Sequence, residues 1–412
     1  MAYIDVTFAE DFRRIKDGDI VSLWNDIDIN DPFMPISADN VTLHGKGHIL
    51  RGLVGPLFDS GTPTGEVVGP TVTNLTVCTE YTRDDPGDDD NWGGLFRAAV
   101  NADISGCSVL AKIHSTHDNV GAIAGILRDS TVTRCASRGN ITAYNTAAGI
   151  VGSAINVKFT QCHNEAKINA AFMHAAGIVA WAMDGTVVDD CVNKKSGIIN
   201  SLTNSPNSGG IVGQMDDGVL VQCSRNEAEV VGGDDIGGIC GYMADTTAGL
   251  HNRIIRCVNK GFIHGGARVG GIAGQIRNSA LIADNANYGG VSGSGEQVGG
   301  IVGLADPLDP DGTIEVKNNH VHCGYVTGLE AVHRVVGGNM PGLFMIGNLA
   351  APEVTVTGDN PDDSQTYTGQ GVRKDDPQLG GYLKHGQSCK VMCNDGSCFD
   401  GKRQPPPKMY CP

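Results

Sequence analysis

A short pattern, Gly-Gly-Ile-Val-Gly at residues 209–213, recurs about every 28 residues through most of this chain. Its copies fall at residues 93–96, 121–125, 148–152, 176–180, 209–213, 237–241, 270–274 and 299–303, and a degenerate ninth begins at Gly337-Gly338. A sequence that repeats at this period folds as an array of coils, each burying its apolar face only against its neighbours. Cysteine keeps time with the pattern. Cys107, Cys135, Cys162 and Cys223 each lie thirteen residues after the second small residue of their copy, Cys191 lies fourteen after, Cys257 follows an insertion, and Asp284 stands in the seventh copy.

Within a coil the Ile-Val pair supplies inward packing and the small residues allow close turns. The clearest copy runs from Val212-Gly213 through a turn at Asp216-Asp217-Gly218, a strand at Val219 to Cys223, a turn at Asn226 and a strand at Val230-Val231. Three faces per coil are expected. With 58 Gly against 10 Phe, 9 Tyr and 3 Trp, the core is thin and aliphatic. The fold class predicted is all-β: a right-handed parallel β-solenoid of about nine to eleven coils, roughly 45–55 Å long at about 4.8 Å per rung.

Residues 1–90 read as an N-terminal cap and the first irregular coils, 91–349 as the regular solenoid, and 350–412 as an extended cysteine-rich tail. Between Asp5 and Lys16, Phe8, Phe12 and Ile15 have helical spacing, and Thr7 and Glu10 are arranged as a capping box. A short helix there would cover the first rung, whose bare edge would otherwise aggregate. The stacked cysteines are expected as buried thiols, because side chains directly above one another point the same way and do not bridge.

The net charge of −16, with no basic run, argues against nucleic acid and anionic membranes as partners. No apolar stretch approaches the roughly 18 residues of a membrane span. The opening segment has no basic region followed by an apolar one: either a signal was removed or export never used one, and the second alternative points to a route to the exterior on a particle. No cofactor is expected. Residues 83–91, Arg-Asp-Asp-Pro-Gly-Asp-Asp-Asp-Asn, form a solvated acidic loop, or alternatively a structural Ca²⁺ site. Cys389, Cys393, Cys398 and Cys411 close a stretch too poor in apolar residues to fold by burial, so two disulfides, or alternatively tetrahedral Zn²⁺, would staple it.

The Gly-Gly-Ile-Val-Gly and Cys-x-Asn-x-Gly elements, seen together in residues 237–261, resemble the GLUG repeat of large bacterial and phage-associated surface proteins. The segments Phe8-Ala9-Glu10-Asp11-Phe12, Asn25-Asp26-Ile27-Asp28-Ile29, residues 43–50 and residues 73–77 are similar, in that order, to the entry segment that precedes such repeats. The resemblance covers about residues 5–340. It implies a β-solenoid and surface display, in families that include adhesins and accessory regions of secreted peptidases. No His-Glu-x-x-His motif accompanies it here.

β-Solenoids that cleave polysaccharide use paired carboxylates as acid and base. Asp184, Asp216, Asp217 and Asp245 follow the repeat at comparable offsets and are expected to form a column along one edge; their plainer role is to hold turns through local hydrogen bonds. Asp189-Asp190 and Asp234-Asp235 fall at other phases and are expected to be solvated. In His320-Val321-His322-Cys323, alternation puts both imidazoles on one side of a strand, where metal binding would need outside ligands. The sequence therefore predicts a structural or adhesive protein on a virion, phage tail or cell surface, binding a glycan or protein partner or building a homo-oligomeric assembly. A polysaccharide-degrading enzyme and a self-associating filament subunit on the same scaffold are the alternatives.

Overall fold

The computed structural model describes residues 1–358 apart from 30–32, 63, 85–90, 117–118, 203–205, 246–249, 308–311, 340–341 and 352. The acidic loop at 85–90 and Cys389, Cys393, Cys398 and Cys411 lie outside the described residues.

The chain winds into a β-solenoid of about ten turns in which every strand pairs in parallel with its equivalent one turn away. From residue 91 onward each turn carries four ladders rather than three. A first sheet runs from Tyr3–Val6 to Leu343–Ile346. A second begins each turn as one long strand, as in Ser108–Ser115, and in later turns breaks into two, as in Arg225–Asn226 and Val230–Val231. A third sheet of two- to three-residue strands, such as Ile236–Gly237, precedes a fourth of five-residue strands, such as Cys240–Ala244. The extra ladder arises because the chain bends at the second glycine of the pair and the isoleucine after it, leaving the first glycine and the residue before it as a strand of their own.

The core is a set of aliphatic columns. Val188, Val221, Ile254, Ile282 and Val316 lie one above another in the first sheet, all fully buried. Phe58 and Phe96 stack at 4.9 Å in the core of the early turns. At the corner between the first and second sheets, Gly106, Arg134, Gln161, Asp190, Cys223, Arg256, Asp284 and Asn318 all adopt positive φ. The next residue of each turn enters a buried column: Cys107, Cys135, Cys162, Cys191, Ser224, Cys257, Asn285 and Asn319.

Cys223 therefore stands one residue outside the cysteine column, at the left-handed corner. Ser224 fills the slot and accepts the Cys191 amide at 3.1 Å; Asn285, not Asp284, takes it two turns later. The column cysteines carry free thiols, and burial raises the pKa values of Cys135 and Cys191.

Two residues beyond the cysteine column runs a buried amide ladder. Asn164, Asn193, Asn226, Asn259 and Asn287 each pass a side-chain hydrogen bond to the next at 2.9 Å. This ladder explains the second glycine of the repeat. A Cβ on Gly149, Gly177, Gly210, Gly238 or Gly271 would overlap the facing amide. Ala122 is accommodated where the ladder opens with the smaller Ser137, which donates to Asn164 at 2.7 Å.

The ends differ from expectation in detail. The cap is a 3₁₀ turn, Ala9–Arg14, that buries Phe12 but leaves Phe8 68% exposed, and its N-terminus is held by Asp11, whose Oδ2 accepts the amides of Thr7 and Phe8, rather than by a Thr7–Glu10 box. At the other end, Gly337 pairs with the third glycine of the preceding copy; His333 and Arg334 occupy the Gly-Gly slots. Strands Leu349–Ala350 and Thr355–Thr357 extend the second sheet by another rung.

Candidate functional site

The last glycine of each repeat shapes the outer surface. A Cβ on Gly241 or Gly274 would strike the backbone at the start of the third-sheet strand one turn away, so the third and fourth sheets meet in a tight re-entrant corner. Stacked turn by turn, these corners form a notch running along the solenoid axis. Its two walls come from fixed places in the repeat. The residue two before the first small residue gives His174, Asn207, Asp235, Arg268 and Gln297; the residue after the last gives Trp181, Gln214, Tyr242, Gln275 and Leu304.

The walls touch. His174 lies 5.7 Å from the Trp181 ring, and Asn207 donates to Gln214 at 2.8 Å. Asp235, only 6% exposed, receives Arg268 Nε at 2.5 Å, and Arg268 Nη2 reaches Asp234 at 3.0 Å. With its amide turned to satisfy both neighbours, Gln275 donates to Asp235 at 2.9 Å and accepts from Arg277 Nε at 3.0 Å. Around Tyr242, Arg268 and Gln275 the notch opens into a cavity of about 470 Å³, with Arg277, Asp306 and Leu304 on its rim. Burial raises the carboxyl pKa values of Asp235 and Asp216, and hydrogen bonds offset part of this: from Arg268 in the first case, and from Trp181 Nε1 and Gln214 in the second. Asp235 is thus buried in an ion pair rather than solvated, while Asp234, on the same guanidinium, keeps a half-exposed side chain. Arg268 reaches both because it stands one rung above, at a position that carries a different side chain in each turn.

An exposed aromatic ridge flanks one end of the notch. Tyr144 and Phe172, each about half exposed, stack with centroids 5.7 Å apart and planes 1° apart, and Leu202 is exposed on the next turn.

The aspartate column lies along the opposite edge of the fourth sheet. Asp184, Asp217 and Asp245 stand on successive turns, and Asp184 and Asp217 hold left-handed corners at φ 50° and 57°, in line with Asp129 and Asn156. Asp216 is one residue earlier, on a strand, paired with Met183 and Ala244. Asp245 stands apart. It is 7% exposed, neither carboxylate oxygen has a hydrogen-bond partner within 3.5 Å among the described residues, and His251 Nδ1 is 3.7 Å away. Burial, with the charges of Asp217 and Asp216 nearby, raises its pKa to about 7, while the Asn252 amide pulls the other way.

His320 and His322 lie with rings 4° from parallel and centroids 6.1 Å apart, and His322 stacks on Tyr288 at 5.1 Å. Among the described residues, no three His, Cys, Asp or Glu side chains converge as a metal would require. No described helix is long and apolar enough to cross a membrane.

No protein-family model matches the chain, and no curated protein matches it. One similar solved structure is titled a "putative immunoglobulin A1 protease" from Bacteroides ovatus; it is 15% identical over 76% of this chain and 84% of its own, with a TM-score of 0.37. That likeness assigns this chain no activity.

Proposed function

We propose that this protein is a non-enzymatic binding solenoid, displayed on a virion or cell surface as the GLUG-like repeat implies, whose axial notch holds an extended oligosaccharide. The observation that carries this reading is the lining of the notch. Amides, a guanidinium pair, an indole and a phenol follow one another at rung spacing, the mixture of flat apolar faces and fixed polar groups that orients a polar ligand. Two of its carboxylates are engaged, Asp235 by Arg268 and Gln275 and Asp216 by Trp181 and Gln214, while Asp306 stands on the rim. The engaged pair hold the walls in place rather than serve as an acid and base.

Asp245 favours one other reading. A carboxyl with a pKa of about 7 has the property of a general acid, which keeps a polysaccharide hydrolase as the alternative. A glycan panel read for both binding and reducing-sugar release separates the two. Binding without release supports the proposal; release abolished in Asp245→Asn would overturn it.

A further inference from the structure

The two guanidinium groups of the notch are in different states. Arg268 is neutralised, with Nε on Asp235 and Nη2 shared between Asp234 and Asp235 at 3.0 and 3.2 Å. Arg277, on the neighbouring wall, forms no ion pair with any described carboxylate. Its Nε is held by the Gln275 amide oxygen at 3.0 Å, and its guanidinium lies 5.8 Å from the Tyr242 ring centroid. Gln275 is 4% exposed, and its own amide is anchored on Asp235. The Asp235–Gln275 relay and a side-chain hydrogen bond with Tyr242 therefore fix the Arg277 head group, and no described carboxylate lies on it. A guanidinium positioned in this way without a carboxylate partner is prepared for a planar two-oxygen acceptor.

We propose that Arg277 is the recognition point for a carboxylate, and that the notch takes an acidic oligosaccharide containing hexuronate residues. This rests on the oligosaccharide reading above. A carboxylate fits better than a phosphate monoester. Its two coplanar oxygens match the fork, and Asp216, Asp235 and Asp306 in or beside the same notch penalise a dianion more than a single charge; a sulfate ester, also singly charged, is distinguished by the test below. Tyr242 and Trp181, two rungs apart on the same wall, offer rings to the apolar faces of the sugar units, and Asn207, Gln214 and Gln297 offer amides to their hydroxyls. A linear chain along the axis meets these groups rung by rung, with Arg277 selecting the charged unit.

The test is titration calorimetry of the full chain with five probes: a hexamer of α-1,4-linked galacturonate, its methyl ester, a neutral hexamer of galactose, a sulfated galactose hexamer, and an Asp/Glu-rich peptide. Each is run on the parent and on Arg277→Gln, with Arg253→Gln, exposed on the first sheet, as the control and circular dichroism confirming the fold. The expected result is that the galacturonate hexamer binds at least tenfold more tightly than its ester or the neutral hexamer, and that Arg277→Gln, but not Arg253→Gln, removes the preference. Equal binding of acid, ester and neutral hexamer, unaffected by Arg277→Gln, overturns the carboxylate assignment and leaves the oligosaccharide reading standing. Tightest binding of the sulfated hexamer also overturns that assignment. If no saccharide binds, while an Asp/Glu-rich peptide included as a fifth probe binds through Arg277, both readings fall; so they do if nothing binds.

Discussion

Replacing Asn226 by Ala tests the buried amide ladder at its centre. Asn226 donates to the Ala228 carbonyl at 2.8 Å and to Asn259 Oδ1 at 2.9 Å, and accepts from the Ala228 amide at 3.2 Å and from Asn193 Nδ2 at 2.9 Å. Truncation orphans the Ala228 amide and carbonyl and leaves that Asn193 donor bond unmade; Asn259 Oδ1 keeps the Gly261 amide. Three stranded groups at about 1–3 kcal/mol each, softened by local relaxation and an admitted water, give a loss of about 4 kcal/mol. The matched control is Asn169→Ala. Its side chain bonds the equivalent Asn140 at 2.9 Å on the exposed face, so the expected loss is under about 0.5 kcal/mol. Guanidinium unfolding reads the difference, and hydrogen exchange at Asn193, Ala228 and Asn259 reads local opening, since coils can open in part. A loss below about 1 kcal/mol for Asn226→Ala, or equal losses for the two variants, would refute the ladder as a source of stability.

Gly210→Ala should cost several kcal/mol because its Cβ would overlap the Asn226 amide. Asn226→Ser added to it should recover part of that loss, copying the Ala122–Ser137 pairing; a double-mutant cycle with no coupling would contradict this. Asp245→Asn should stabilise the protein by about 2 kcal/mol above pH 7, about half the full value of a three-unit shift because nearby solvent screens the charge. The sign follows from proton binding. Between about pH 4 and 7 the folded protein holds a proton that the unfolded chain releases, so the parent loses stability as pH rises through this window and the gain from Asn disappears below it; thermal melts across pH measure it. The thiols of Cys135 and Cys191 should resist alkylation until the solenoid unfolds, as mass spectrometry of labelled protein would show. Tyr144→Ala with Phe172→Ala should leave the melting temperature within a few degrees of the parent, because both rings are exposed.

The solenoid was legible because each signal repeats: a glycine facing the amide ladder, an inward Ile-Val pair and a column residue recur at nearly fixed intervals. What the repeat leaves ambiguous is a slip of one residue. Cys223 matches the earlier cysteines by counting, yet its turn is one residue longer, so Ser224 enters the column. Four ladders were read as three because strands as short as Ser208–Gly209 carry no periodicity of their own.

The notch was harder to see. Asp235 and Arg268 are 33 residues apart and meet only through stacking, and each looks like an ordinary turn residue in its own coil. The available signal was positional: two places flanking the Gly-Gly-Ile-Val-Gly element vary among Asn, Asp, Arg, Gln, Tyr and Trp while the element itself barely changes. The aspartate column was easier to find because its members share one phase, and stacking alone sets Asp184, Asp217 and Asp245 above one another. Burial then distinguishes Asp245, which sequence phase does not reveal.

The most direct measurement is a crystal structure of the chain grown with the tightest-binding oligosaccharide from the panel. The account predicts sugar density along the notch from Trp181 past Tyr242 to Leu304. Ligand on the Tyr144–Phe172 ridge alone, or against Asp184, Asp217 and Asp245 on the opposite edge, would contradict it.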